Sequence, residues 1–175
     1  MSILKFLGLT KKTQTETSPA SQTETVREIV KTLDRLEPQK AKYIASFAYL
    51  LSRVAHADLD ISDEETQKME KMVMEVGKLP EEQAIVVVQM AKSHTVLFGG
   101  TENYLVTREF REMTTLEERW DLIRCLFMVS AADQNISAVE DNEIIQISSE
   151  LGLERHELAK VRAEFSHYLS VLKDA

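Results

Sequence analysis

The chain has 175 residues, only 5 glycines and 3 prolines, a charged fraction of 29% and a net charge of −8. That length buries one substantial core and calls for no second domain. An acidic body repels phosphate backbones, which argues against nucleic acid as a direct ligand and leaves divalent cations and basic protein surfaces as compatible partners. The single cysteine, Cys125, allows no disulfide framework, so a reducing cytoplasm fits best.

The opening Met1-Ser-Ile3-Leu4-Lys5-Phe6-Leu7-Gly8-Leu9 is too short for a membrane span and lacks the cleavage site of a secretory signal. With Lys11 and Lys12 behind it, it suits two turns of amphipathic helix and, at most, weak contact with a membrane surface, because stable anchoring takes two signals. Residues 10–22 contain no aliphatic side chain larger than Ala and read as a linker. The folded body is expected over 23–175.

Apolar residues recur at helical spacing throughout, which predicts an all-α protein of seven to eight helices. Val26, Ile29, Val30, Leu33 and Leu36 mark a first helix ending before Pro38, which suits the first turn of the next. That second helix carries Ile44, Phe47, Ala48, Leu51, Val54 and Ala55 and is expected to run to about Asp58. Ser62 with Glu65 forms the Ser-x-x-Glu capping box that opens the third, whose face is Met69, Met72, Val73 and Val76, and Gly77 stands where a left-handed residue would end it. The fourth starts at Pro80, and the run from Ala84 to Met90 is apolar on nearly every side, which predicts deep burial.

After a break at 95–101 with Gly99-Gly100, residues 102–113 show a poorly phased helical pattern. Thr115 with Glu118 is a second capping box, followed by Leu122, Ile123, Leu126 and Val129 toward Asp133. Ser137 with Glu140 is a third, followed by Ile144, Ile147 and Leu151 and a stop at Gly152. Leu158, Val161, Phe165, Leu169 and Leu172 predict one closing helix.

Two stretches repeat at a constant offset of 75. Leu51, Val54, Ala57, Asp58, Ile61, Ser62 and Glu65 match Leu126, Val129, Ala132, Asp133, Ile136, Ser137 and Glu140, and the match extends to Gly77 and Gly152. This pattern points to an internal duplication and two related halves. Asp58 and Asp133 each fall four residues after a core valine, so each carboxylate is expected to point inward, at a helix C-terminus that disfavours an anion. Two resolutions compete. In one, each Asp braces the turn by accepting backbone N–H groups. In the other, Asp58 and Asp133, joined by Asp60, Glu65 or Glu140, hold a Ca²⁺- or Mg²⁺-like ion through oxygen ligands. The Asp58-x-Asp60-x-Ser62 run is not an EF-hand, because no Gly occupies the sixth place and Glu65 comes too early. Ser62 and Ser137 have a sufficient role as caps, and no histidine recurs near both.

With its two Ala-Asp-x-x-Ile-Ser-x-x-Glu motifs, the chain resembles the TerB-like family, an all-helical group named after a tellurite-resistance protein and related to the N-terminal region of a DnaJ-type co-chaperone. The resemblance covers about residues 24–170. It implies a helical domain with acidic corners that bind divalent metal, a bacterial cytoplasmic setting, a link to stress or envelope-associated systems with protein partners, and no enzymatic activity. The family usually places Gly directly after the Asp, where Leu59 and Gln134 stand here, so either the local turn differs or the left-handed residue shifts to Asp60 and Asn135, which tolerate that conformation better. The alternatives are a pure protein-interaction module, contacting through Pro80–Ala91 or the N-terminal tail, and a metal-dependent hydrolase.

Overall fold

The helix α1, Pro38–Ala55, is the centre of the molecule, and 12 of its 18 residues are buried. In the computed structural model, which describes residues 29, 31–55, 62–92 and 103–173, α1 is surrounded by α3 (Glu81–Lys92), α4 (Asn103–Met113), α5 (Leu116–Ser130) and α6 (Ala138–Glu150). The helix α2, Asp63–Glu75, lies on α3 and α5, while α7, Arg155–Glu164, lies on α6. A short α8, Ser170–Lys173, ends the described chain, and 31–34 form a helical turn ahead of α1. The fold is all-α, as the helical periodicity predicts, and none of the described helices is long and apolar enough to cross a membrane.

The apolar stripe of α1 places Ile44, Phe47, Ala48, Leu51 and Val54 in full burial, which is the main reason an 18-residue helix is stable here. Phe47, Tyr43 and Phe110 form an aromatic cluster between α1 and α4, with Tyr43 and Phe110 stacked at 5.4 Å and Phe47 edge-on to Phe110 at 6.4 Å. A second stack, Phe127 on Phe165 at 5.3 Å, joins α5 to the end of α7. The poorly phased 102–113 stretch is helical because Val106 and Phe110 are drawn into this core, while Leu105 stays 43% exposed.

All three capping boxes form. Ser62, Thr115 and Ser137 each accept the N–H of the residue three ahead, and Glu65, Glu118 and Glu140 each accept the cap residue's N–H in return. α2 and α6 both have 13 residues and start at the same repeat position, but they stop differently. After α6, Gly152 has φ +73°, its N–H bonds the Ser149 carbonyl and the Leu153 N–H bonds the Ser148 carbonyl, a Schellman closure as predicted. After α2 the left-handed residue is Lys78 (φ 61°), not Gly77. Gly77 is needed for close approach instead: a Cβ there would meet the Val73 carbonyl oxygen at 2.6 Å and Phe47 Cζ at 2.9 Å.

Two other expectations are corrected, and a third is not reached. The apolar run of α3 is buried on one side only: Ala84, Val87, Val88, Met90 and Ala91 are buried, whereas Ile85 is 40% exposed, because α1 and α2 cover a single face. The closing helix is broken. α7 stops at Glu164, residues 165–168 turn, and Leu169 pairs as an extended residue with Ile136, which buries both. Leu172 is consequently half-exposed rather than part of the core. Finally, α1 is described as far as Ala55; the expected continuation toward Asp58 lies outside the described residues.

Candidate functional site

The second acidic corner follows directly from how α5 ends. Beyond Ser130 the chain tightens into a 3₁₀ turn over Ala131–Asp133. That turn advances about three residues per turn rather than 3.6, so the phase carried by Val129 is lost before Asp133. The expected inward carboxylate is therefore corrected: Asp133 is exposed. Its Oδ1 accepts the Asn135 N–H at 3.0 Å, which makes it a brace of the turn. The left-handed residue is Gln134 (φ 69°), not Asn135, so the position directly after the Asp keeps the conformation that Gly would adopt more easily.

This corner is closed from outside by the C-terminal segment. The Ile136 N–H donates to the Tyr168 carbonyl at 2.6 Å, the Ser170 N–H donates to the Ile136 carbonyl at 2.9 Å, and Lys173 Nζ donates to the Gln134 carbonyl at 2.9 Å. Glu140 is half-buried, and its Oε2 takes both the Ser137 N–H (2.8 Å) and the Ser137 hydroxyl (2.7 Å). Glu65 plays the same part for Ser62, and the backbone N–H of Ser62 holds its carboxyl below the usual range. Asp58 and Asp60 lie outside the described residues. Among the described residues no group of three or more His, Cys, Asp or Glu gathers in a geometry that holds a metal ion.

Sequence reasoning gave no role to the most buried charges. Arg53, with a side chain 4% exposed, reaches from α1 to α6: Nε donates to Glu143 Oε1 at 2.7 Å and Nη1 to Glu150 Oε2 at 3.0 Å, while Nη2 lies 2.6 Å from the same Glu143 oxygen as an ion contact. Burial opposes the charge on Arg53, and the bonds to Glu150 and Glu143 outweigh it and raise its pKa. Burial likewise pushes Glu150 up, but hydrogen bonds from Arg53 and Thr107 prevail and hold it below the usual carboxylate range. Asp141 is 4% exposed and receives Arg162 of α7 in a two-pronged pair at 2.8 and 2.5 Å. The available signal was the seven-residue spacing of Glu143 and Glu150, which places both on one face of α6.

A cleft of about 430 Å³ opens where α1, the α2–α3 link and the start of α5 converge. Tyr43, Gln83, Glu118 and Asp121 line it as half-buried groups, and Glu37, Gln39, Lys40 and Lys78 are its exposed rim. Burial, then the Glu118 and Asp121 carboxylates, push the Tyr43 phenol far above its usual value, so it stays protonated. Burial also raises the Asp121 carboxyl, with Glu117 and Glu118 adding to it and Arg124 and Lys78 opposing. Glu118 is already committed to its cap, and among the described residues Asp121 has only a loose ion contact, with Arg124 at 3.8 Å.

These features define an all-helical module in which, among the described residues, most buried or capped carboxylates serve the architecture and a polar cleft stands open. The chain belongs to the TerB family: the family model described as tellurite resistance protein TerB matches residues 43–163, from Tyr43 in α1 to Ala163 in α7. Comparison with curated proteins and with solved structures gives no match.

Proposed function

We propose that this TerB-family chain is a non-enzymatic binding module, acting through a protein partner in a bacterial cytoplasmic, stress-related or envelope-associated assembly. The observation that carries this reading is the open cleft beside α1, whose half-buried polar groups Tyr43, Gln83 and Asp121 are not needed to close any helix. Polar groups held partly out of water without a firm partner favour a ligand that supplies one. Among the described residues, His156 contacts its neighbour Glu157 on the surface, and the Ser62 and Ser137 hydroxyls are engaged in caps, which supports a binding rather than a catalytic role. Tagged full-length chain retained on a resin is expected to recover a specific protein from cells of its host, in the presence of EDTA as in its absence. Recovery of nothing above a tag-only control would refute the reading.

A second reading is favoured by the corner at Gln134. Its outward carbonyl attracts the Lys173 ammonium, beside the exposed Asp133 carboxylate, so the corner is electronegative. In that reading Asp58 and Asp133, with Asp60, Glu65 or Glu140, attract Ca²⁺ or Mg²⁺. Glu65 and Glu140 would contribute only oxygens left over from their caps. Titration calorimetry should then show heat with Ca²⁺ or Mg²⁺ that is lost in both Asp58→Asn and Asp133→Asn. Heat that survives both changes, or none in the unaltered chain, eliminates the site.

A further inference from the structure

We propose that the cleft between α1, the α2–α3 link and α5 seats one arginine or lysine side chain of a partner polypeptide, with Asp121 as its counterion and Tyr43 beside it. This rests on the binding-module reading and names the chemistry of its partner.

Lys78 opposes the Asp121 charge only from the exposed rim, where its Nζ also donates to the Glu75 carbonyl at 3.0 Å, and Glu118, whose Oε2 accepts the Thr115 N–H at 2.8 Å, adds negative charge beside it. Asp121, with a side chain 19% exposed, faces the cleft among Tyr43, Gln83 and Glu118, and its one ion contact, Arg124, is long and 42% exposed. A carboxylate in that position is short of countercharge. An incoming cation supplies it, and the cleft adds a phenol ring and a hydroxyl, the combination that suits a guanidinium or ammonium group.

Ligand classes separate on the same residues. A phosphate or carboxylate group would meet Glu37, Glu118 and Asp121, so an anionic guest is repelled. The rim lysines, Lys40 and Lys78, set a second limit. They tolerate one basic side chain flanked by neutral or acidic residues and disfavour a run of basic ones. The volume agrees with a side chain and its flanking backbone, at the lower end of the roughly 300–1,000 Å³ of ordinary ligand sites.

The test uses isotope-labelled full-length chain and three blocked pentapeptides: Gly-Ser-Arg-Ser-Gly, its citrulline counterpart, and Gly-Arg-Arg-Arg-Gly. The single-arginine peptide is expected to shift the amide resonances of Tyr43, Gln83 and Asp121, the citrulline peptide to bind far more weakly, and the triple-arginine peptide to bind no better. Asp121→Asn should weaken the single-arginine peptide by about tenfold, Tyr43→Phe by less, and Asp63→Asn, at the exposed start of α2, not at all. Shifts scattered over the acidic surface, or an Asp121→Asn variant that binds as well as the unaltered chain, would overturn the proposal. If Asp121→Asn also retains the protein recovered by the tagged chain, the seat is wrong while the module reading stands. If no protein is recovered by either, the module reading itself is lost.

Discussion

Replacing Arg53 with Met should destabilise the protein by about 3 kcal/mol, the lower part of the range for breaking a buried pair. The guanidinium is almost wholly buried, whereas Glu143 and Glu150 keep 27% and 17% of their side-chain exposure, so water softens the loss. Two carboxylates would be left on α6 with no cation between them. For a chain of this length the melting temperature should fall by roughly 6–12 °C. Thermal and urea unfolding measure it, and a loss below about 1 kcal/mol would show that the three charges contribute little. Adding Glu143→Gln and Glu150→Gln to Arg53→Met should recover part of the loss, because the cost lies in the unpaired charge rather than in the missing attraction.

The same network gives a pH dependence whose sign is fixed. Glu150 has a folded pKa below its ordinary value of 4.5, so it binds protons less readily when folded. Its contribution is fully present above that ordinary value and is lost as pH falls through the folded pKa. Stability of the unaltered chain should therefore decline as pH drops below about 4.5, and Arg53→Met should flatten that part of the curve.

Truncating Phe110 to Ala should cost about 3–5 kcal/mol, the usual range for removing a buried ring. Phe110 is fully buried, and its ring is shared by Tyr43 and Phe47, so its loss opens a cavity between α4 and the central helix. Leu105→Ala on the same helix serves as the control. That side chain is 43% exposed, and its removal should change stability by no more than about 0.5 kcal/mol. Equal effects of the two substitutions would mean that α4 is held by its own helical tendency rather than by the aromatic cluster. Phe110→Ala should also weaken the single-arginine peptide, since Tyr43 loses the surface it stacks on.

Asp133 shows where reading along the chain reached its limit. Spacing of four from Val129 is a sound guide only while the backbone remains α-helical, and a 3₁₀ turn removes that condition within three residues. The same holds at the end of the chain. Leu158, Val161 and Phe165 keep a helical phase, but pairing of Leu169 with Ile136 ends it, and nothing in the local sequence announces a partner 33 positions away.

The features legible in the amino-acid order are those whose partners lie within one helical turn. The capping boxes of Ser62, Thr115 and Ser137 each join residues three apart, and the stripe of α1 needs only its own period to declare a buried face. Tertiary packing decided the rest. Arg53 finds Glu143 and Glu150 at separations of 90 and 97 residues, and Tyr43 shares a cleft with Lys78 and Asp121 from two other elements. Such pairings depend on how helices are placed against one another, and burial then decides whether each charge or hydroxyl is paired inside the protein or left for a partner.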